Sequence, residues 1–153
     1  MANHVSYAEL HCRSNFSFLQ GASHPEQLVE QAQSLGLEAL ALTDRNGLYG
    51  IVRFAEAARV LGLPTVFGAE LQLDSGSLVI IARNPRGYAH LSSAISAGQL
   101  AGSKEHPVFV LEQLGEFSVG DWWVMTGGRD GAVVRALNEQ GPSAAERRVQ
   151  QMK

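Results

Sequence analysis

The feature that most constrains this chain is the regular alternation of short apolar runs with longer amphipathic stretches. The run at residues 78–82 is apolar without interruption, as expected for a strand buried on both faces of a sheet. Strands of this kind, interleaved with helices, predict an α/β fold with parallel strand pairing. The alternation does not decide between an open sheet and a barrel. Predicted strands cover residues 7–12, 38–42, 64–68, 78–82 and 122–126.

The first predicted helix, at residues 23–35, carries clear start and stop signals. Ser23 and Glu26 have the spacing of a capping box. Pro25 is tolerated there because the first turn of a helix leaves its N–H groups without helical partners. Gly36 then ends the helix.

The later helices are predicted from apolar periodicity and from start signals. We expect helices at residues 50–61, 84–95 and 130–138, and a further one from residue 141 onward. In that last helix, Ser143 and Glu146 repeat the capping-box spacing. The predicted core positions of the helix at 50–61 are Val52, Ala55, Ala58 and Val60.

Composition argues against several classes of protein. No stretch approaches the roughly 18 consecutive apolar residues of a membrane-spanning helix, so no membrane partner is expected. The first ten residues do not resemble a secretory signal. The single cysteine, Cys12, is consistent with a reducing compartment. We therefore expect a cytoplasmic location. The formal net charge of −3 argues against a protein whose main function is to bind nucleic acid through a basic surface. A length of 153 residues suggests one domain.

Polar side chains follow three of the predicted strands at the points where the strands end. If those strands are parallel neighbours, these side chains meet at one rim of the sheet. An imidazole and two carboxylates there predict a site for Zn²⁺ or Mn²⁺. Helix caps and surface ion pairs are the alternative role for the same residues. The candidates are His11 and Arg13 after the first strand, Asp44 and Arg45 after the second, and Glu70 after the third.

A series of ordered motifs resembles the PHP (polymerase and histidinol phosphatase) domain at the N-terminus of bacterial C-family DNA polymerases. The sequences of these motifs are most similar to those of the error-prone branch of these polymerases. That branch is associated with translesion synthesis and damage-induced mutagenesis. The likeness spans nearly the whole chain. It rests on the segments YAELHC, FSFLQGAS, ALTD, GLYGIVRFAEAA, FGAEL, LVIIARNPRGYAHLSSAISAGQLAG and WWVMTGGRDGAV.

The resemblance implies a PHP-type distorted (βα)₇ barrel with a metal-binding cleft at the strand ends. It also implies that residues 1–153 are an N-terminal portion of that domain, with the last strands missing and no polymerase palm, fingers or thumb region. The expected partners are the remainder of a polymerase chain or its other subunits, with DNA contacted only through the full polymerase. Two alternatives stay open: an active metal-dependent phosphoesterase or 3′–5′ exonuclease, and a free-standing, non-catalytic binding module.

The family's metal ligands are only partly matched in this chain. The resemblance places His11, Asp44 and Glu70 at ligand positions. The usual His-x-His motif reads His11-Cys12-Arg13 here, the usual Thr-Asp-His motif reads Thr43-Asp44-Arg45, and Gln20 stands where an Asp is usual.

Two of the expected imidazoles are therefore arginines, Arg13 and Arg45. A guanidinium has no lone pair for a metal but forms a bidentate fork to a carboxylate. We therefore predict that Arg13 and Arg45 pair with Asp44 and Glu70 and leave the cleft structural. On this hypothesis no cofactor and no catalytic residue are expected, whereas an active cleft would take Zn²⁺ or Mn²⁺.

Overall fold

A computed structural model describes residues 6–152 of the chain as an α/β fold, which confirms the predicted fold class. Residues 1–5, which belong to the N-terminal segment that does not resemble a secretory signal, lie outside the described range. No helix within that range is long and apolar enough to cross a bilayer. The strands are β1 (Ala8–Glu9), β2 (Ala39–Leu42), β3 (Thr65–Leu73), β4 (Gly76–Ala82) and β5 (Trp122–Met125). The helices are α1 (Pro25–Ser34), α2 (Ile51–Leu61), α3 (Pro85–Ala101), α4 (Leu111–Ser118), α5 (Ala132–Gln140) and α6 (Pro142–Gln151).

The strands form one five-stranded sheet in the order β1-β2-β3-β4-β5. Pairing is parallel from β1 to β3, as predicted, but β3 and β4 pair antiparallel, as do β4 and β5. The prediction of parallel pairing is therefore wrong for half of the sheet. The physical reason is a tight turn at Asp74 and Ser75, which joins β3 to β4 as a hairpin without a crossover helix.

Helices α1 to α4 pack against one face of this sheet and form two apolar clusters with it. One cluster lies between β2 and the helices α1 and α2, and the other lies between β3–β5 and the helices α3 and α4. Burial of these side chains is the main source of the fold's stability. Fully or almost fully buried members are Val29, Leu42, Phe54 and Ala58 in the first cluster, and Leu71, Leu78, Ile80 and Leu91 in the second.

The starts of two helices differ from the sequence prediction. The cap of α1 is His24, whose backbone N–H donates to Oε1 of Gln27 at 2.9 Å, so the predicted box of Ser23 and Glu26 is displaced by one residue. At α6 the cap is Gly141, with no side-chain cap hydrogen bond, so the second predicted box does not form. The end of α1 is as predicted, because Gly36 takes a φ of 69°.

Two of the four core positions predicted for α2 are wrong. Ala58 is buried, but Val52 is 66% exposed and Val60 is 78% exposed. The inward face is built by Ile51 and Phe54 together with Ala58. This helix therefore carries apolar residues on two faces, of which only one is covered.

Buried Asp121 fixes the start of α3 against β5. Its carboxylate accepts hydrogen bonds from Nε of Arg86 at 2.6 Å and from Nδ2 of Asn84 at 2.8 Å. The Asn84 side chain also accepts from the N–H of Gly87, and the indole of Trp122 donates to the carbonyl of Gly87. The hydrogen bonds from Arg86 and Asn84 lower the pKa of Asp121 to about 2.

We predict that Asp121→Asn lowers stability at neutral pH and that this difference fades in acid. The ionised carboxylate stabilises the fold fully above its unfolded pKa, near 3.8, and loses that effect as pH falls toward about 2. Chemical denaturation of both proteins between pH 7 and pH 2 should therefore give converging unfolding free energies. The control, Asp130→Asn at an exposed site, should track the parent throughout. A constant gap across that pH range would contradict the prediction.

Candidate metal centre

The candidate site lies just beyond the ends of β1 and β2 and beside Glu70, which lies within β3 because that strand continues to Leu73 and does not end near residue 68 as predicted. After β1 the chain runs on beside the end of β2, where the Thr43 N–H donates to the carbonyl of Cys12 at 2.8 Å. The Glu70 N–H in turn donates to the carbonyl of Asp44 at 3.0 Å. These backbone contacts bring the segments that carry the five predicted residues to one rim of the sheet.

Glu70 is the centre of the rim. It is 4% exposed, and its Oε2 atom lies 2.7 Å from Nε2 of His11. The same oxygen accepts from Nε of Arg13 at 2.8 Å and from Nη2 of that guanidinium. Burial alone would raise the pKa of Glu70, but the hydrogen bonds and charges of His11 and Arg13 outweigh burial and lower it to about 2. The predicted pairing of Arg13 with Glu70 is confirmed.

Asp44 has partners that differ from the prediction. It is 1% exposed, and its Oδ1 accepts from the backbone N–H of Ser14 and from the hydroxyl of Ser17, each at 2.7 Å. Its Oδ2 accepts from the hydroxyl of Ser14 at 2.7 Å. The predicted arginine partner for Asp44 is therefore wrong. Two hydroxyls and one backbone N–H satisfy this buried charge instead.

Arg45 also departs from the prediction, because its side chain pairs with neither the Asp44 nor the Glu70 carboxylate. It is exposed and makes no ion pair with any residue of the described range 6–152. Only its backbone is tied to the rim, through an N–H that donates to Oγ of Ser17 at 3.0 Å. The guanidinium lines an open cavity of about 810 Å³, whose wall also includes Gln20 and Arg129.

Ser14 and Ser17 belong to a loop that sequence reasoning did not connect with the site. The loop closes tightly, and a Cβ on Gly21 would lie 2.1 Å from the carbonyl oxygen of Ser14. At its tip Phe18 is 83% exposed and Leu19 is 89% exposed, with Leu19 in a left-handed conformation at a φ of 61°. Asp44 holds this loop in place. The signal in the sequence is a pair of serines three residues apart just after the His11 motif.

Cys12 lies between the two residues that contact Glu70, but its thiol is not activated. Burial is the largest cause that raises its pKa to about 11, and the nearby carboxylates of Glu9 and Asp44 add to the effect. The thiolate, which is the nucleophilic form, is therefore a minor species at neutral pH.

The donor set at the rim does not fit a divalent metal. The Glu70 oxygen that faces His11 is occupied by the Arg13 guanidinium, and both oxygens of Asp44 are occupied by Ser14 and Ser17. Across residues 6–152, no group of three His, Cys, Asp or Glu side chains is placed to hold a metal ion. A fixed positive charge beside Glu70 also opposes a second cation there.

The chain matches a family model and a group of curated proteins. Residues 9–153 match the model of the PHP domain. The chain is 50% identical over 155 residues to the error-prone DNA polymerase of Mycobacterium tuberculosis, covering 94% of this chain and 14% of that protein. It is 46% identical over 147 residues to the error-prone DNA polymerase of Cutibacterium acnes, covering 87% of this chain and 13% of that protein. It thus spans about one-seventh of the length of these curated relatives.

One solved structure shows the same fold. It is described as a candidate metal-dependent phosphoesterase from Bifidobacterium adolescentis, and it superposes with a TM-score of 0.52 at 21% identity. The likeness covers 98% of this chain and 56% of that chain.

We predict that Glu70→Gln destabilises the fold by about 2 kcal/mol. The loss is smaller than the roughly 3–5 kcal/mol expected for a fully buried ion pair, because the Arg13 side chain is 30% exposed. Denaturant unfolding at pH 7 measures it. The matched control is Glu26→Gln, which removes an exposed ion pair with Arg53 and should cost less than about 1 kcal/mol. Equal losses in the two variants would contradict the central role of Glu70.

We predict that Asp44→Ala opens the loop at residues 14–21. Removal of the carboxylate leaves the hydroxyls of Ser14 and Ser17 without their acceptor, so the loop loses its anchor. Limited digestion with chymotrypsin should then cleave after Phe18 at least several-fold faster than in the parent chain, under conditions where both remain folded by circular dichroism. Unchanged cleavage at this position would show that Asp44 does not anchor the loop.

Proposed function

The chain belongs to the PHP domain family, and on that premise we propose that it serves as the PHP region of an error-prone, translesion-type DNA polymerase. In this proposal the cleft at the strand ends is structural and does not hydrolyse phosphoesters. The assignment to a polymerase is supported by identities of 46–50% to proteins named error-prone DNA polymerase. Such a role implies that the protein acts in DNA repair and replication. It also implies a location in the cytoplasm.

A single observation carries the proposal of a structural cleft. The Glu70 oxygen that faces His11 is held by the guanidinium of Arg13, at a position where the family pattern has an imidazole. An arginine stays protonated at any physiological pH and cannot ligate a metal. Metal-assisted hydrolysis needs an open coordination position and a bound water, and this arrangement favours neither.

The role within a longer polypeptide follows from the share of the relatives that the chain spans. About 14% of the Mycobacterium tuberculosis protein corresponds to this chain. Nucleotide transfer would therefore depend on regions outside it. We propose that this region braces such a polymerase, and that DNA and any other subunits are contacted through the larger assembly.

We further propose that residues 1–153 are the N-terminal portion of a PHP barrel. The superposition that covers 98% of this chain covers 56% of the Bifidobacterium adolescentis structure. The fifth strand, β5, pairs only with β4 in the described sheet. Its free edge and its exposed Trp123 support an arrangement in which further strands would continue the barrel there.

An active phosphoesterase is the second candidate function. The observation that favours it is the presence of His11, Asp44 and Glu70, which stand at the family's ligand positions and lie on one rim. Zn²⁺ or Mn²⁺ would be its cofactor. For it to operate, Arg13 would have to leave Glu70, and the loop at residues 14–21 would have to release Asp44.

We predict that Zn²⁺, Mn²⁺ and EDTA leave the melting temperature of the chain unchanged. A metal that binds only the folded state at 100 times its dissociation constant would stabilise it by about 2.7 kcal/mol, which a thermal melt detects. The chain should likewise hydrolyse neither nitrophenyl phosphate esters nor 3′-ended DNA with either metal present. A metal-dependent rise in melting temperature with hydrolysis that His11→Ala abolishes would establish the phosphoesterase instead.

The double variant Arg13→His/Arg45→His tests whether the arginines close the site to metal. It restores both imidazoles of the family pattern and removes the cation beside Glu70. We expect it to gain a metal-dependent rise in melting temperature that the parent lacks. If neither protein responds to metal, the arginines are not what closes the site, and the anchoring of Asp44 by Ser14 and Ser17 must be tested next.

A further inference from the structure

We draw no further inference here: the strongest candidate, the open cavity beside the rim that Arg45 and Arg129 line, carries nothing, because Asp74, Asp130 and Glu139 line the same cavity and nothing in the structure shows which ligand it takes.

Discussion

The rim of the sheet depends on one buried negative charge, the carboxylate of Glu70. A buried carboxylate is tolerated only with close partners, and here His11 and Arg13 supply them from the segment that follows β1. Strand β1 is only two residues long and contributes little pairing of its own. The contacts to Glu70 therefore hold the N-terminal segment beside β2 and β3, and they place the guanidinium of Arg13 against that carboxylate.

Asp44 is a second buried carboxylate that needs polar partners, and its partners differ from those of Glu70. It is buried beside Glu70, but its charge is satisfied by the hydroxyls of Ser14 and Ser17 and by a backbone N–H. Both carboxylates thus have hydrogen-bond partners from the segment that follows β1. One carboxylate secures the N-terminal segment, and the other secures the loop that carries Phe18 and Leu19.

Local signals explain which parts of this arrangement could be predicted from the sequence. The apolar run of β4 and the Asn84 start of α3 are encoded within a few residues, and both were correctly placed. The antiparallel half of the sheet depends on a short turn between two apolar runs, and helix α4 has too few periodic residues to stand out. The partners of Asp44 and the orientation of Arg45 depend on how separate segments meet, which residue spacing does not encode.

Strand β3 contributes to two separate surfaces of the sheet. Glu70, within the strand, stands at the rim, whereas Thr65 and Phe67 at its start line a groove between α2 and α3. The hairpin joins β3 to β4 directly, so no crossover helix covers the strands that it connects. The contacts of His11 and Arg13 with Glu70 involve no residue that lines the groove. A change of charge at the rim therefore leaves the lining of the groove unaltered.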